Sequence, residues 1–403
     1  MSNPHKSTRR DFLRGKAAAD VLANSPIGGE TAAEGNDLPL AAGTASLGAA
    51  AGYLSTISRR AMACEFAVLL NAGQYPAGIE AALAALDLVD QLEAQLSVFR
   101  DSSEVSRLNQ TAYVAAVEVE PRLFALLKLA AEIHCDTAGA YDIATGPLTK
   151  LWGFYRRQGQ MPAETELAKT MQHVGLRHVQ FDDEKQTVRF VTPGVELNLG
   201  SIGKGYALDR AAELLEADGI MNFLLHGGNS SVLARGSGRG SKAEETSTLI
   251  PALSQREREQ DGWWIGLMHP LAPERRIGEV RLHDRALGTS GSGTQFFIHD
   301  GHRYGHILDP RTGWPAEGTL STTVAAKTGA EADALATAFY VLGAEAAIEY
   351  CRRHAGISAV MMSPVEGPPT AAHGRVEVLQ WGWAEDEIRM YPDDSLSIRR
   401  IAD

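Results

Sequence analysis

Cysteine is scarce in this sequence. Three occur in 403 residues, Cys64, Cys135 and Cys351, and they lie far apart. An odd number cannot pair completely. Without a Cys-x-x-Cys or a zinc-like spacing, neither a disulfide framework nor a zinc site is encoded. The expectation is three buried structural thiols. No cysteine precedes Cys64, which rules out a lipobox. No stretch of 18 apolar residues exists, so no transmembrane helix is predicted. Basic residues are also in deficit: 38 Lys and Arg against 50 Asp and Glu give a formal net charge of -12. An acidic surface of that size argues against a nucleic-acid backbone as the main partner. No short-period repeat is present.

What is present is enough to bury a large core. Hydrophobic residues make up 44% and charged residues 22%, ordinary values for a globular chain. Length alone allows one large domain or two to three smaller ones. Residues 1 to about 55 are rich in Ala, Gly, Ser and Asn without a sustained period, and read as leader plus flexible linker. Within them Ser7-Thr8-Arg9-Arg10-Asp11-Phe12-Leu13-Arg14 resembles a twin-arginine export signal. The apolar segment that should follow is short and interrupted by Asp20. Export to the cell envelope or periplasm and retention in the cytoplasm both stay open.

Ordered structure is expected from residue 56 to 403 as a single domain. Phe66–Leu70 suits a strand. Pro76–Leu96 predicts a helix, with Pro76 in its first turn and Ile79, Leu83, Leu86, Val89 or Asp90, Leu92 and Leu96 on one face. Pro121–Thr137 repeats the pattern. Val174–Val191 predicts two short strands around a turn. Val195–Leu199 reads as a strand running into Gly200-Ser201-Ile202-Gly203-Lys204-Gly205, with a helix from about Tyr206. Phe223–Leu233 is a strand pair broken at His226-Gly227-Gly228-Asn229, and residues 235–261 read as a solvated insertion. Trp263–Val324 reads as strands, Ala330–Leu342 and Ala344–His354 as helices, and Val376–Ile401 as one or two closing strands. Helices interspersed with antiparallel strand runs predict an α+β fold of mixed, mainly antiparallel sheets with packed helices.

Four segments could carry chemistry, and each has a plainer reading. The Gly200–Gly205 turn, between strand and helix, aims N–H groups and a helix dipole at one point, with Lys204 adding a cation; that suits a phosphate or pyrophosphate. It matches neither a P-loop nor a dinucleotide fingerprint, and a tight packing turn explains it equally. Asp333 and Thr337 are four apart, so a helix puts both oxygens on one face. They suit magnesium, which prefers hard oxygen donors; helix capping is the alternative. His306, just before the turn Asp309-Pro310-Arg311-Thr312-Gly313, could be a general base or a structural histidine. Gly139-Ala140-Tyr141-Asp142, followed by Leu151-Trp152-Gly153-Phe154, could wall a planar ring or form an ordinary loop.

Their order along one chain is more specific than any of them alone. With Ser103-Glu104-Val105-Ser106-Arg107-Leu108-Asn109, Gly227-Gly228-Asn229, Trp264-Ile265-Gly266-Leu267 and Thr289-Ser290-Gly291, the set resembles the ApbE family of FAD:protein FMN transferases over roughly Ser58–His354. The resemblance implies an FAD site formed by Met62, Phe99, Ala140, Tyr141, Asp142, Asn198, Lys204 and Leu308. It implies Mg2+ held by Asp333, Thr337 and an oxygen of Ser201, with His306 as catalytic base. It also implies an acceptor protein bearing a segment like Asp-x-x-[Ser/Thr]-[Gly/Ser]-Ala-Thr, of the kind found on membrane redox subunits or flavin-carrying reductases. This chain has no such segment.

The sequence departs from the family pattern at several places. Asn198 stands where Asp is usual, Ala63-Cys64 where Gly-Thr is usual, Ser292-Gly293 after the Ser-Gly step, and Ala336 where some members have an acid. The implied activity is Mg-dependent transfer of FMN from FAD to a Thr or Ser hydroxyl, releasing AMP. An FAD diphosphatase giving FMN and AMP, and a non-catalytic FAD-binding protein, are the two alternatives.

Overall fold

A nine-stranded sheet separates two hydrophobic cores. A computed structural model describes residues 53–238, 262–291, 293, 295–365 and 375–401. The twin-arginine segment and the linker to residue 52 lie outside these residues, as do residues 239–261 of the expected insertion. In chain-order numbering the large sheet runs β1 (Leu54–Ala61), β2 (Cys64–Asn71), β6 (Phe223–Gly227), β7 (Ser231–Arg235), β10 (Ala286–Gly291), β13 (Ser321–Ala326), β14 (Ser358–Pro364), β15 (Val376–Trp381) and β17 (Leu396–Arg400). All neighbours are antiparallel except β15 and β17. Three smaller sheets join β3 (Val117–Glu118), β5 (Thr187–Phe190) and β4 (Val179–Asp182); β16 (Ile388–Met390), β9 (Ala272–Leu282) and β8 (Trp263–His269); and the hairpin β11 (Phe296–His299) with β12 (His302–Gly305). The expected α+β class with mainly antiparallel sheets is what forms.

The period of two explains why the central strands are apolar throughout. On β13, Val324 and Ala326 face one core and Ala325 the other; on β14, Ala359 and Met361 alternate with Val360 and Met362. A strand covered on both faces has no side left for polar residues. One face carries helices α1 (Gly78–Leu96), α2 (Glu104–Thr111), α3 (Pro121–Asp136), α6 (Gly203–Ala217), α7 (Gly329–Leu342) and α8 (Ala344–Arg353). The other face is covered by β8, β9 and β16, through Trp263, Leu267, Ile277, Val280 and Ile388. The short helices α4 (Gly146–Leu151) and α5 (Glu164–Thr170) frame a third cluster around Trp152.

Several expectations need correction. Helix α1 begins at Gly78, so Pro76 lies in the turn before it. Ile79 and Leu83 are 58% and 42% exposed, and the buried face instead runs through Ala81, Ala82, Ala85, Leu86, Val89, Leu92 and Leu96. Small alanines let the helix lie close to the sheet and α6, and close packing outweighs the bulk of the two rejected residues. Residues 195–199 are not a strand. Their backbone is satisfied elsewhere: Asn198 N–H donates to Ile143 O at 2.7 Å, Glu196 O accepts from Gly146 N–H at 3.1 Å, and the Asn109 amide bonds both N–H and C=O of Leu197 at 2.8 and 3.0 Å. A side chain has taken the place of a neighbouring strand. Of the three thiols only Cys351 is buried; Cys64 is half-buried and Cys135 exposed. The tail forms three strands, β15, β16 and β17.

Candidate active site

The glycine-rich turn and the Asp333 helix meet backbone to backbone. A Cβ on Gly205 would fall on the Gly329 carbonyl, and one on Gly329 would stand 2.5 Å from the Gly205 carbonyl. Only a glycine pair permits that approach. Helix α7 is apolar nearly all round, with Ala332, Ala334, Leu335, Ala336, Ala338 and Phe339 fully buried, as a helix passing through the core must be. Asp333 is the carboxylate on that surface. Thr328 caps the helix, accepting from Glu331 N–H at 3.2 Å.

The Asp333 carboxylate is held by two partners. Its Oδ2 accepts from Gly205 N–H at 2.7 Å, and the Ser231 hydroxyl lies 2.8 Å from Oδ1 and 3.0 Å from Oδ2. Burial pushes its carboxyl up to about 6, opposed by Lys204, Ser231 and the Gly205 N–H. Thr337 Oγ1 donates to Asp333 O at 3.3 Å and lies 3.0 Å from Ser290 Oγ. Helix α6 opens with Gly203 N–H to Leu199 O at 2.8 Å and Tyr206 N–H to Ile202 O at 3.0 Å, and Gly205 N–H, a first-turn donor with no acceptor inside the helix, goes to Asp333. Ser201 precedes the helix cap Ile202, so its carbonyl stands outside the α6 hydrogen-bond ladder. These are oxygen donors of the kind a hard cation takes, and the set fits magnesium. Among the described residues no cluster of three or more His, Cys, Asp or Glu could hold a metal by itself.

Lys204 brings charge to the same point. Its field acts on Asp333, on Cys64 and on His306. His306 N–H donates to Gln295 O at 3.2 Å, and its ring Nδ1 lies 3.1 Å from the same oxygen. A carbonyl only accepts, so Nδ1 carries the proton and Nε2 keeps its lone pair. Burial, with Lys204 adding to it, lowers the imidazole below its ordinary value despite the Gln295 contact. The result is a neutral base at neutral pH. Phe154 packs edge-on against it at 6.4 Å.

The remaining implied residues are placed less uniformly. Phe99 is 67% exposed and its ring lies 4.5 Å from that of Tyr155, which makes a projecting aromatic pair next to Phe154. Met62 sits at φ 48° in the β1–β2 turn, its N–H donating to Glu93 Oε2 at 2.9 Å. Tyr141 is fully buried and receives the Ser201 hydroxyl at 3.2 Å; it reaches the site through its phenol. Ala140 is buried. The Asp142 carboxylate is committed internally to Ala144 N–H at 2.7 Å, Leu176 N–H at 2.9 Å and His134 Nδ1 at 3.0 Å. Asn198 Oδ1 accepts from Gly200 N–H at 3.0 Å, an Asx turn that needs no charge. Leu308 packs in the Trp152 cluster, where Trp152 Nε1–H donates to Gly313 O at 2.9 Å. Two surface cavities, of about 320 and 550 Å³, contain none of these residues.

Sequence reasoning missed Ser231 and Gln295, and it named Ser290 only within the Thr289-Ser290-Gly291 motif, without a role. Ser231 closely follows Gly227-Gly228-Asn229, and that glycine pair was its only local signal. The Ser103–Asn109 motif proves to be scaffolding: Ser103 caps α2 by accepting from Ser106 N–H at 2.9 Å, and Asn109 locks residues leading into the glycine-rich turn.

Comparison with known proteins identifies the family. The ApbE family profile matches residues 62–361. A protein named FAD:protein FMN transferase from Escherichia coli K12 is 31% identical over 286 residues, covering 69% of this chain and 74% of that one. Its namesake from Treponema pallidum is 32% identical over 285 residues, 69% and 75% of the two chains. Among solved structures, the ApbE protein of Thermotoga maritima superposes with a TM-score of 0.65 at 28% identity, over 77% of this chain and 94% of its own. Flavin transferase ApbE from Vibrio cholerae gives 0.66 at 25% identity, over 82% and 97%. This chain belongs to the ApbE family.

Proposed function

We propose that the protein transfers FMN from FAD to a Thr or Ser hydroxyl of a target flavoprotein in a magnesium-dependent reaction that releases AMP. Residues 56–403 act as one transferase domain in this reading. The observation that carries it is the convergence of Lys204, the Asp333–Thr337 oxygen pair and a His306 whose Nε2 is free to accept a proton.

The acceptor hydroxyl attacks the FMN-side phosphorus of FAD. His306 Nε2 takes its proton, the new O–P bond forms, and the bond to the AMP phosphate breaks, so AMP leaves with the electron pair. Such a reaction depends on positioning and charge neutralisation more than on covalent help. Lys204 holds the pyrophosphate by its charge, because the N–H groups of Gly200, Ile202, Gly203 and Gly205 in the turn are bonded to protein acceptors. Asp333, Thr337 and the Ser201 carbonyl would hold Mg2+, which when bound neutralises charge on the phosphate oxygens. The Phe99–Tyr155 pair offers a stacking face to a flavin or adenine ring, and Met62 lies on the turn beside Glu93. Ala140, Tyr141 and Asp142 support the FAD site from behind, through backbone and through Ser201. Leu308 supports the strand end that carries His306.

The test is AMP release from FAD, with and without Mg2+ and with and without a peptide carrying Asp-x-x-[Ser/Thr]-[Gly/Ser]-Ala-Thr. Acceptor-dependent AMP with a flavin mass on the peptide establishes the transferase. AMP and free FMN without acceptor identify a diphosphatase, and FAD left intact throughout identifies a carrier.

A further inference from the structure

Helices α6 and α7 are tied together twice, in opposite directions. Gly205 N–H, on α6, donates to the Asp333 carboxylate on α7 at 2.7 Å. One turn further along α6, the Asp209 carboxylate accepts from α7: Gly329 N–H donates to Oδ1 at 2.6 Å and Ala330 N–H to Oδ2 at 2.9 Å. Gly329 is one turn before Asp333. Each helix thus offers a backbone N–H to a carboxylate of the other, and the two links are spaced by one turn on both helices. Between them lies the Gly205–Gly329 contact, where no side chain fits.

We propose that Asp209 is a positioning residue of the active site: by holding the amino terminus of α7 from α6, it sets where Asp333 and Thr337 stand relative to Lys204 and the Ser201 carbonyl. This rests on the reading of Asp333 and Thr337 as cation ligands. The α7 amino terminus already has a local cap in Thr328. A second acceptor from another helix adds what Thr328 cannot supply, which is a fixed relation between the two halves of the site. Keeping a carboxylate there is costly, since burial pushes Asp209 up to about 7 against the two N–H donors. A carboxylate at a helix amino terminus also meets the positive end of the dipole. Lys204 and Asp209 share α6 and Asp333 lies on α7, so any shift between the helices moves cation and ligand apart.

The variants Asp209→Asn and Asp209→Ala test this, with Thr328→Ala as the control. Thr328→Ala weakens the same helix end without touching the α6 link. Mn2+ serves as the probe, its binding to the full chain read by electron paramagnetic resonance without FAD. Hydrogen bonds to charged groups carry free energies that correspond to roughly 10- to 100-fold in affinity. Asp209→Ala is expected to weaken Mn2+ binding by about that factor, with Asp209→Asn, which keeps one acceptor oxygen, in between. Thr328→Ala should lower the melting temperature and leave Mn2+ affinity near wild type. If Asp209→Ala does not fold, Asp209→Asn carries the test. Wild-type Mn2+ affinity in the Asp209 variants, or an equal loss in Thr328→Ala, overturns the positioning role alone. Failure of the wild type to bind Mn2+ overturns the cation reading and this inference with it.

Discussion

The Ser231 hydroxyl, on β7, lies within 3.0 Å of both carboxylate oxygens of Asp333, on α7. The contact joins the central sheet to the buried helix and leaves Asp333 one fixed orientation. Ser231→Ala removes the donor and leaves the carboxylate short of a partner. A loss of about 1.5–3 kcal/mol is expected, divided between stability and transition-state binding. Urea unfolding alongside kcat/KM for AMP release measures the division. No change in either would mean that the hydroxyl is idle.

Asp333→Ala should cost far more turnover than Lys204→Ala. Losing a group that stabilises developing charge commonly lowers the rate by on the order of 10²–10³. Lys204 acts on the pyrophosphate as a mobile point charge rather than as a fixed ligand, so its loss should be smaller. The check is kcat for both variants at saturating FAD and Mg2+. Wild-type turnover in Asp333→Ala would end the metal assignment.

The acid limb of kcat/KM should follow His306. Burial and Lys204 both disfavour the imidazolium, so the inflection should lie below about 6.5, the ordinary histidine value. In Lys204→Ala one of those two causes disappears and the inflection should move up. His306→Gln should remove the limb together with most of the activity. A limb in Lys204→Ala that moves down would contradict the assignment of the base.

His134 and Asp142 make a separate pH-dependent contribution to stability. Hydrogen bonding to Asp142 raises the His134 imidazole above its usual value, against burial and Arg177. A raised histidine stabilises the fold fully below its unfolded value, about 6.5, and the contribution fades as pH rises through the folded value. Melting temperatures from pH 5 to 9 should therefore fall more steeply in the wild type than in His134→Gln. Parallel curves would show that the pair is not ionic.

Gly205→Ala should be poorly tolerated. Its Cβ would meet the Gly329 backbone, which cannot rotate away as a side chain can. Forced overpacking costs about 1–3 kcal/mol, and here it also separates Lys204 from Asp333. Both melting temperature and Mn2+ affinity should drop, whereas Gly219→Ala, with nothing within 4 Å of its Cβ but a φ of 76°, should affect melting alone.

The sequence by itself determined the α+β class, the helices α3, α6, α7 and α8 to within a few residues, and the ordered series of motifs from Met62 to Thr337. These rest on local quantities: periodicity, turn chemistry and the spacing of two oxygens on one helix face. The tertiary structure decided the rest. Which face of α1 is buried depended on how closely it could approach the sheet, so Ala81 and Ala85 went inside and Ile79 and Leu83 did not. Whether Val195–Leu199 became a strand depended on Asn109, 88 residues earlier than Leu197. Asp142, which the resemblance puts at the FAD site, has its carboxylate bound to His134 and two N–H groups. Ser231, Gln295 and Asp209 act only across elements, each bonding a residue of a different strand, loop or helix. Hydrogen bonds of that kind leave no period in a sequence, because their partners are brought together by packing rather than by the chain.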